Sequence, residues 1–233
     1  MQVLIGASLL IGSYFIGAIP FGLIIVKVMT GKDIRTVASG RTGGTNAMRA
    51  AGPMAGLLTA AMDILKAAVT VWLARVMTGN VWIHTLAPIA VILGNNYSVF
   101  LIERGDDGGL HLRGGAGGAA AGGGTFGLWA PSGFFLIPIA LLVWFLVGYA
   151  SITTLSVGLV SIILLGVRAW LGLAPWEYLL FGVMAEALLV WALRPNIKRL
   201  LDGTERRHGL PVILQKRREA RLKAEKGDLK DNE

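Results

Sequence analysis

The sequence has no cysteine and few charged residues, and each of these two shortages excludes a class of function. Its three histidines are scattered along the chain. Without cysteine among its 233 residues, the chain forms no disulfide, uses no thiolate nucleophile and binds no metal through cysteine. Charged residues make up only 15% of the chain, whereas 54% of its residues are apolar. This composition is typical of an integral membrane protein and not of a water-soluble domain.

Basic residues outnumber acidic ones, 22 to 14, which gives a formal net charge of +8. They are clustered in a few hydrophilic breaks and in the C-terminal tail. This clustering favours contact with anionic lipid or with a phosphorylated substrate over contact with a nucleic-acid groove. We therefore expect membrane lipids, and no nucleic acid, among the partners.

Seven apolar segments approach the roughly 20 residues that a membrane-spanning helix needs. They are residues 3–28, 53–77, 81–101, 116–130, 134–150, 152–173 and 176–193. The first lacks a basic start and a convincing cleavage site, so we expect a retained helix and not a signal peptide. The fourth is short and rich in glycine, which favours close helix packing. The sequence predicts an all-α integral membrane protein of about seven transmembrane helices, with a membrane domain over 1–193 and a basic cytoplasmic tail over 194–233.

Along the chain, hydrophilic breaks that carry basic residues alternate with breaks that carry no charge. The basic residues follow the first and third segments and open the tail, whereas the breaks at 78–80, 131–133 and 172–175 carry no charge. Because basic loops stay in the cytoplasm, the N-terminus is predicted outside and the C-terminus inside. This orientation brings the glycine-rich and basic stretches to the cytoplasmic face. No inverted repeat is evident, which speaks against a secondary transporter.

The stretch SGRTGGTN, residues 39–46, is a candidate phosphate-binding loop. Its glycines permit positive φ and close backbone approach, and we expect Gly43 and Gly44 to turn their N–H groups towards an anion. Hydroxyl and amide groups add donors, and Arg41 and Arg49 add charge. An ordinary flexible loop with cytoplasmic positive charge is the alternative.

A second candidate is the pair formed by Asp63 and Lys66, which lie three residues apart on one helical face. Ionisable residues within a membrane segment are candidates for a site. A purely structural ion pair that joins this helix to its neighbours is the alternative.

Further polar groups are expected at the same cytoplasmic face. Arg113 precedes a glycine bend at Gly114 and Gly115, which could bind an anion or could serve packing. Ser151 begins a predicted helix, where a hydroxyl most often caps the backbone. The start of the tail contributes Asn196, Lys198, Arg199 and Glu205. Asp106 and Asp107 are adjacent loop carboxylates that we expect to be solvated, so no metal is predicted.

Taken in order, these stretches resemble the bacterial acyl-phosphate:glycerol-3-phosphate acyltransferases, the PlsY family. The resemblance lies in GAIPFG (17–22), GKDIR (31–35), SGRTGGTNAMR (39–49), MDILKA (62–67), GNNYSVF (94–100), RGGAGGAA (113–120) and NIKRLLDGTE (196–205). It implies a seven-helix enzyme of the bacterial cell membrane that acts at the cytoplasmic face. The implied reaction transfers a fatty acyl group from acyl phosphate to glycerol 3-phosphate and yields lysophosphatidate and phosphate, without cofactor or metal.

The chain departs from the family pattern at several positions. Arg41 and Gly44 stand where the pattern has Asn and Ala, and Asn95 stands where it has His. Arg113 and Ala116 replace two lysines, and Leu193 replaces a histidine. A non-catalytic paralogue, or a membrane protein that binds or transports anions, is therefore the alternative.

The resemblance also implies roles for residues of this chain. The predicted catalytic residues are Ser39, Arg49 and Asn196. The predicted substrate-binding residues are Gly40, Gly43, Gly44, Thr45, Asn46, Arg113, Gly114, Gly115, Ser151, Lys198 and Arg199. Asp63, Lys66 and Glu205 are predicted to support the site. No Ser, Cys or His nucleophile is needed, because acyl phosphate already has a good leaving group.

Overall fold

The computed structural model describes residues 1–105 and 108–230, without the side chains of residue 216 and of residues 221–230. Within this part of the chain there are ten α-helices and one two-stranded sheet. The helices are α1 (Gln2–Ala18), α2 (Phe21–Thr30), α3 (Gly44–Ala51), α4 (Pro53–Met77), α5 (Val81–Asn96), α6 (Gly118–Leu128), α7 (Gly133–Leu146), α8 (Ala150–Trp170), α9 (Glu177–Leu201) and α10 (Gly209–Lys230). The antiparallel strands are β1 (Ile102–Arg104) and β2 (Leu110–Leu112).

Within the described residues, four helical stretches are long and apolar enough to cross a membrane by length and composition. They are Gln2–Thr30, Pro53–Met77, Ala150–Trp170 and Glu177–Leu201. The other predicted spans form α5, α6 and α7, which have 16, 11 and 14 residues. These helices are shorter than about 17 residues, the lower limit for a helix that spans a membrane. The helical architecture agrees with the sequence, and the number of seven spans stays a prediction.

The first predicted span is not one continuous helix. It divides into α1 and α2 at Ile19 and Pro20, because proline has no N–H to continue the hydrogen bonds of α1. The ammonium group of Lys66, from α4, lies at this break. Its Nζ donates to the carbonyl oxygens of Gly17, at 2.8 Å, and of Ile19, at 3.2 Å. A buried cation therefore satisfies carbonyls that the end of α1 leaves unpaired.

The main core lies between α4, α5, α6, α8 and α9. Its large buried side chains include Val71, Ile92, Leu165 and Phe181. The glycine-rich α6 packs closely against α4, since a Cβ on Gly123 would overlap the carbonyl of Ile64. The packing role that the sequence predicted for this segment is therefore present.

A second, smaller core fixes the polar segment between α2 and α4. Val26, Ile34, Ala47 and Ala55 are fully buried there. The segment over residues 31–52 is more ordered than the predicted loop, because it contains a short 3₁₀ turn and the helix α3. This packing holds the candidate phosphate loop against the start of α4.

Candidate active site

An open cavity of about 480 Å³ lies between the loop after α2, the segment before α6 and the C-terminal part of α9. Three arginines line it, Arg41, Arg113 and Arg194. Its wall also includes predicted site residues, namely Ser39, Gly40, Gly114 and Gly115. A cavity lined by three cations is suited to an anionic ligand.

Arg41 joins separate parts of the cavity wall. Its guanidinium group donates to the carbonyl oxygen of Gly115, at 3.3 Å, and to that of Ala192 in α9. Burial lowers the pKa of Arg41, and the positive charge of Arg199 lowers it further. The residue therefore braces the loop against α9 and also brings charge to the cavity.

Arg113 is oriented by a chain of ion pairs on its outer side. Its Nε lies 2.6 Å from Glu103, and the same carboxylate lies 2.9 Å from Arg35. Arg35 in turn pairs with Asp33, and its hydrogen bonds lower the pKa of that carboxyl to about 2. These contacts anchor Arg113 through Nε while its side chain lines the cavity.

The glycines of the candidate phosphate loop have different roles from those expected. Gly43 has φ −83° and ψ 166°, which any residue can adopt, so it does not use the positive φ that glycine permits, and its predicted contact with an anion stays a prediction. Gly40 has φ +68°, the left-handed conformation that favours glycine. A Cβ on Gly44 would lie 2.9 Å from the Gly56 carbonyl, so this glycine allows α3 to pack on α4.

Asn46 holds the loop through its side-chain amide. The Nδ2 group is within hydrogen-bonding distance of the carbonyl oxygens of Ile34, Val37 and Arg41, at 3.2, 3.0 and 2.8 Å. Thr45 is half-buried beside it. The substrate contacts predicted for these two residues stay predictions, and the geometry gives Asn46 a structural role.

The glycine bend before α6 is joined to the end of α5. The Gly115 N–H donates to the Asn95 carbonyl at 2.7 Å, and the Gly114 carbonyl accepts from the Thr42 N–H at 3.3 Å. The amide of Gly115 is therefore already engaged, and a phosphate would have to displace its partner. The predicted contact with this amide stays a prediction.

A second group of predicted residues surrounds the buried carboxylate of Glu205. It accepts from the Ser151 hydroxyl at 2.6 Å, from the Ser151 N–H at 3.3 Å and from the Asn196 amide at 3.3 Å. Arg199 donates to the other end of the Asn196 amide at 3.1 Å. Residues from α8, α9 and the loop after α9 thus meet at the Glu205 carboxylate. Lys198 does not belong to this group, because its side chain is exposed.

Arg49 adjoins this group through a residue that the sequence did not indicate. Its Nη2 lies 3.3 Å from Nδ1 of His208. Burial lowers the pKa of Arg49, and the charge of Arg206 lowers it further, whereas Glu205 raises it. His208 was one of three scattered histidines, and no motif around it pointed to the site.

Beneath the cavity, the Asp63–Lys66 ion pair is buried. Its two charged groups are 2.8 Å apart, and Lys66 also donates to Asn95 Oδ1 at 2.8 Å. The Asn95 amide lies 3.4 Å from Asn96, which lines the cavity. These contacts favour the interpretation of Asp63 and Lys66 as a structural ion pair. Hydrogen bonds through Asn95 connect the pair to Asn96 in the cavity wall.

The described residues contain no group of three or more His, Cys, Asp or Glu side chains that could hold a metal ion. Asp106 and Asp107 lie outside the described residues.

The fold and the site define a helical membrane protein with a cation-lined pocket among polar loops. The family model of glycerol-3-phosphate acyltransferase matches residues 7–203. The chain therefore belongs to the glycerol-3-phosphate acyltransferase family.

Curated relatives and a solved structure agree with this assignment. Glycerol-3-phosphate acyltransferase 2 of Moorella thermoacetica is 36% identical over 203 residues, covering 86% of this chain and 96% of the relative. A glycerol-3-phosphate acyltransferase of Thermus thermophilus is 35% identical, covering 84% of this chain and 92% of the relative. The crystal structure of PlsY (YgiH), an integral membrane glycerol 3-phosphate acyltransferase in its glycerol 3-phosphate form, has a TM-score of 0.75 and 30% identity. That comparison covers 90% of this chain and 98% of the other.

Proposed function

We propose that this acyltransferase takes its acyl group from acyl phosphate and transfers it to glycerol 3-phosphate at the cytoplasmic face of a bacterial cell membrane. The products are lysophosphatidate and phosphate. The observation that carries the proposal is the cavity lined by Arg41, Arg113 and Arg194. Membership of the family supports it, as do related crystal structures in glycerol 3-phosphate and lysophosphatidic acid forms.

The two groups of polar residues form one continuous site in this proposal. Arg199 contacts Asn196 and lies close enough to Arg41 for its charge to lower the pKa of that guanidinium. Asn196 in turn contacts Glu205, near Arg49. Cations therefore extend from the cavity to the second group, as two phosphorylated substrates would require.

The reaction requires positioning and charge more than a nucleophilic side chain. The new bond joins the glycerol hydroxyl oxygen to the acyl carbonyl carbon, and the bond from that carbon to the phosphate oxygen breaks. The hydroxyl proton passes to the departing phosphate or to water. Because phosphate is already a good leaving group, holding the two substrates together and stabilising the oxyanion account for the catalysis.

We assign the two phosphates to different arginines. Arg49, with Ser39, binds the phosphate of glycerol 3-phosphate, and Arg113 binds that of the acyl donor. Arg41 adds a cation to the cavity wall, and Ala116, which follows the lining residue Gly115, stands where the family pattern has a lysine. Asn196, oriented by Glu205, donates to the reacting oxygen atoms.

The proposed orientation has the N-terminus outside and the C-terminus in the cytoplasm. The cavity residues and the Glu205 group lie at the ends of α2, α5 and α9 that adjoin basic loops. Arg75, at the other end of α4, donates instead to the Leu128 carbonyl at 2.6 Å. In this proposal, the shorter helices α5, α6 and α7 complete the seven-helix bundle by packing among the long ones.

Purified protein incubated with acyl phosphate and glycerol 3-phosphate tests the reaction. We expect lysophosphatidate and phosphate in equal amounts, with no product when acyl coenzyme A replaces the acyl phosphate. Product formed only from acyl coenzyme A would overturn the proposed donor. No product from either donor would overturn the proposed reaction.

A non-catalytic binding protein is the second candidate, because three polar positions of the family pattern are altered. Leu193 is only 2% exposed and Asn95 is committed to Lys66, so neither substitutes directly for a histidine. Ala116 has no charge. Binding of glycerol 3-phosphate without lysophosphatidate formation would favour this candidate.

A further inference from the structure

Arg49 and His208 form a contact that fixes the protonation of the histidine. Arg49 Nη2 lies 3.3 Å from His208 Nδ1. A guanidinium group has only hydrogen-bond donors, so Nδ1 must accept. The imidazole is therefore neutral in this contact, with its proton on Nε2.

His208 is held in place by the junction of α7 and α8. Its ring stacks on Trp144, with centroids 5.7 Å apart and an angle of 23° between the planes. The backbone N–H of His208 donates to the Gly148 carbonyl at 2.8 Å. Gly148 has φ +77°, and a Cβ there would overlap the His208 carbonyl, so the close approach requires glycine.

The other ring nitrogen shows that packing alone does not explain the histidine. Within the described residues, His208 Nε2 is buried without a hydrogen-bond partner. A buried polar group without a partner destabilises the fold, and a phenyl ring could stack on Trp144 without this penalty. The imidazole is therefore better explained by the acceptor that it offers to Arg49.

We propose that His208 is a positioning residue that holds the Arg49 guanidinium in the orientation that binds the phosphate of glycerol 3-phosphate. This inference rests on the function proposed above. It concerns a residue outside the family match, which ends at residue 203. The contact joins α3 to the loop between α9 and α10, which in turn is bound to the α7–α8 junction at Gly148.

The contact makes acceptor binding sensitive to pH. The charged side chains around the imidazole are Arg49 from α3 and Glu205 from its own loop. The Arg207 backbone also lies at the ring, and the α7–α8 junction contributes the uncharged Trp144 and Tyr149. Burial lowers the pKa of His208 and the charge of Arg49 lowers it further, whereas the Arg207 backbone and the charge of Glu205 raise it. The net direction is downward, so the neutral form is favoured at neutral pH. In acid, the imidazolium can no longer accept from Arg49 and repels it.

Two variants separate positioning from packing. His208→Phe keeps an aromatic ring on Trp144 and removes the acceptor, whereas His208→Asn places an amide oxygen near the position of Nδ1. For His208→Phe we expect the KM for glycerol 3-phosphate to rise roughly tenfold, the loss expected for one hydrogen bond to a charged group. The KM for acyl phosphate and the melting temperature should stay unchanged. His208→Asn should restore most of the affinity and should lack the rise in KM that we expect for the wild type in acid.

A double-variant cycle tests the proposed route through Arg49. His208→Phe should have no further effect in an Arg49→Ala background, since the positioned group is already gone. Additive effects of the two substitutions would overturn the proposal, as would an unchanged KM in His208→Phe.

Two further measurements separate this proposal from the proposed function. Calorimetric binding of glycerol 3-phosphate to the wild type and to His208→Phe reports on positioning even if no product forms. The nitrogen chemical shifts of His208 report its tautomer in the substrate-free protein. A protonated Nδ1 at neutral pH would overturn the positioning role and leave the reaction intact.

Discussion

The ammonium group of Lys66 lies 2.8 Å from the side-chain oxygen of Asn95. It also neutralises Asp63 and satisfies two carbonyls at the end of α1. One buried cation thus joins α1, α4 and α5 beneath the cavity floor. Several elements depend on this charge, so its removal should affect the fold before it affects the chemistry.

Replacement of Lys66 by Met should strongly destabilise the protein. The substitution leaves the Asp63 carboxylate buried without a partner, and breaking one side of such a pair costs about 3 kcal/mol or more. Asp63→Asn combined with Lys66→Met removes both charges and should recover part of the loss. Thermal melts of the three proteins in detergent provide the comparison, and equal melting temperatures for the single and double variants would contradict this account.

Alanine at Gly40 and at Gly43 should have opposite outcomes. Gly40 is left-handed at φ +68°, where a Cβ costs roughly 1–2 kcal/mol. Gly43 has an ordinary backbone conformation, and a Cβ there would meet no atom within 4 Å. Gly40→Ala should therefore lower both the melting temperature and acceptor binding, and Gly43→Ala should change neither. Equal behaviour of the two variants would show that the loop conformation differs in solution.

Arg41→Ala should reduce both stability and acyl-phosphate binding more than Arg194→Ala does. Arg41 donates to carbonyls on two separate segments, whereas the exposed Arg194 contacts its own helix at the Trp191 carbonyl. We expect Arg41→Ala to lower the melting temperature and to raise the KM for acyl phosphate, and Arg194→Ala to act only weakly on either quantity. A lower melting temperature for Arg194→Ala together with an unchanged one for Arg41→Ala would contradict the bracing role that we assign to Arg41.

Arg49→Lys should reduce activity almost as much as Arg49→Ala. Lysine keeps the charge but loses the planar fork that can bind a phosphate oxygen and His208 together. The quantity to compare is kcat/KM for glycerol 3-phosphate in the three proteins. Near wild-type activity in Arg49→Lys would show that positive charge alone is sufficient.

Single cysteines can test the orientation, because the native chain has none. Thr36, Asp202 and Gly79 are all exposed. In intact cells, a membrane-impermeant thiol reagent should label Gly79→Cys and leave Thr36→Cys and Asp202→Cys unlabelled until the membrane is permeabilised. Labelling of Thr36→Cys from outside would place the site on the outer face.

The sequence by itself indicated the helical membrane class, because long apolar segments need no tertiary information to be recognised. The order of its motifs was enough to indicate the family, which the match over residues 7–203 confirms. Composition also predicted that the glycines of α6 serve packing. Each of these conclusions depends on residue type and order along the chain.

Tertiary structure decided which of these residues meet. Ser151 contacts Glu205 across 54 positions, and Arg49 contacts His208 across 159. Such contacts follow from the way helices cross, which residue type does not encode locally. The bracing role of Arg41 likewise depends on Gly115 and Ala192, which are distant from it in sequence. The local sequence pattern predicted which chemical groups the site contains, but only the packing of α3, α8 and α9 brings these groups together.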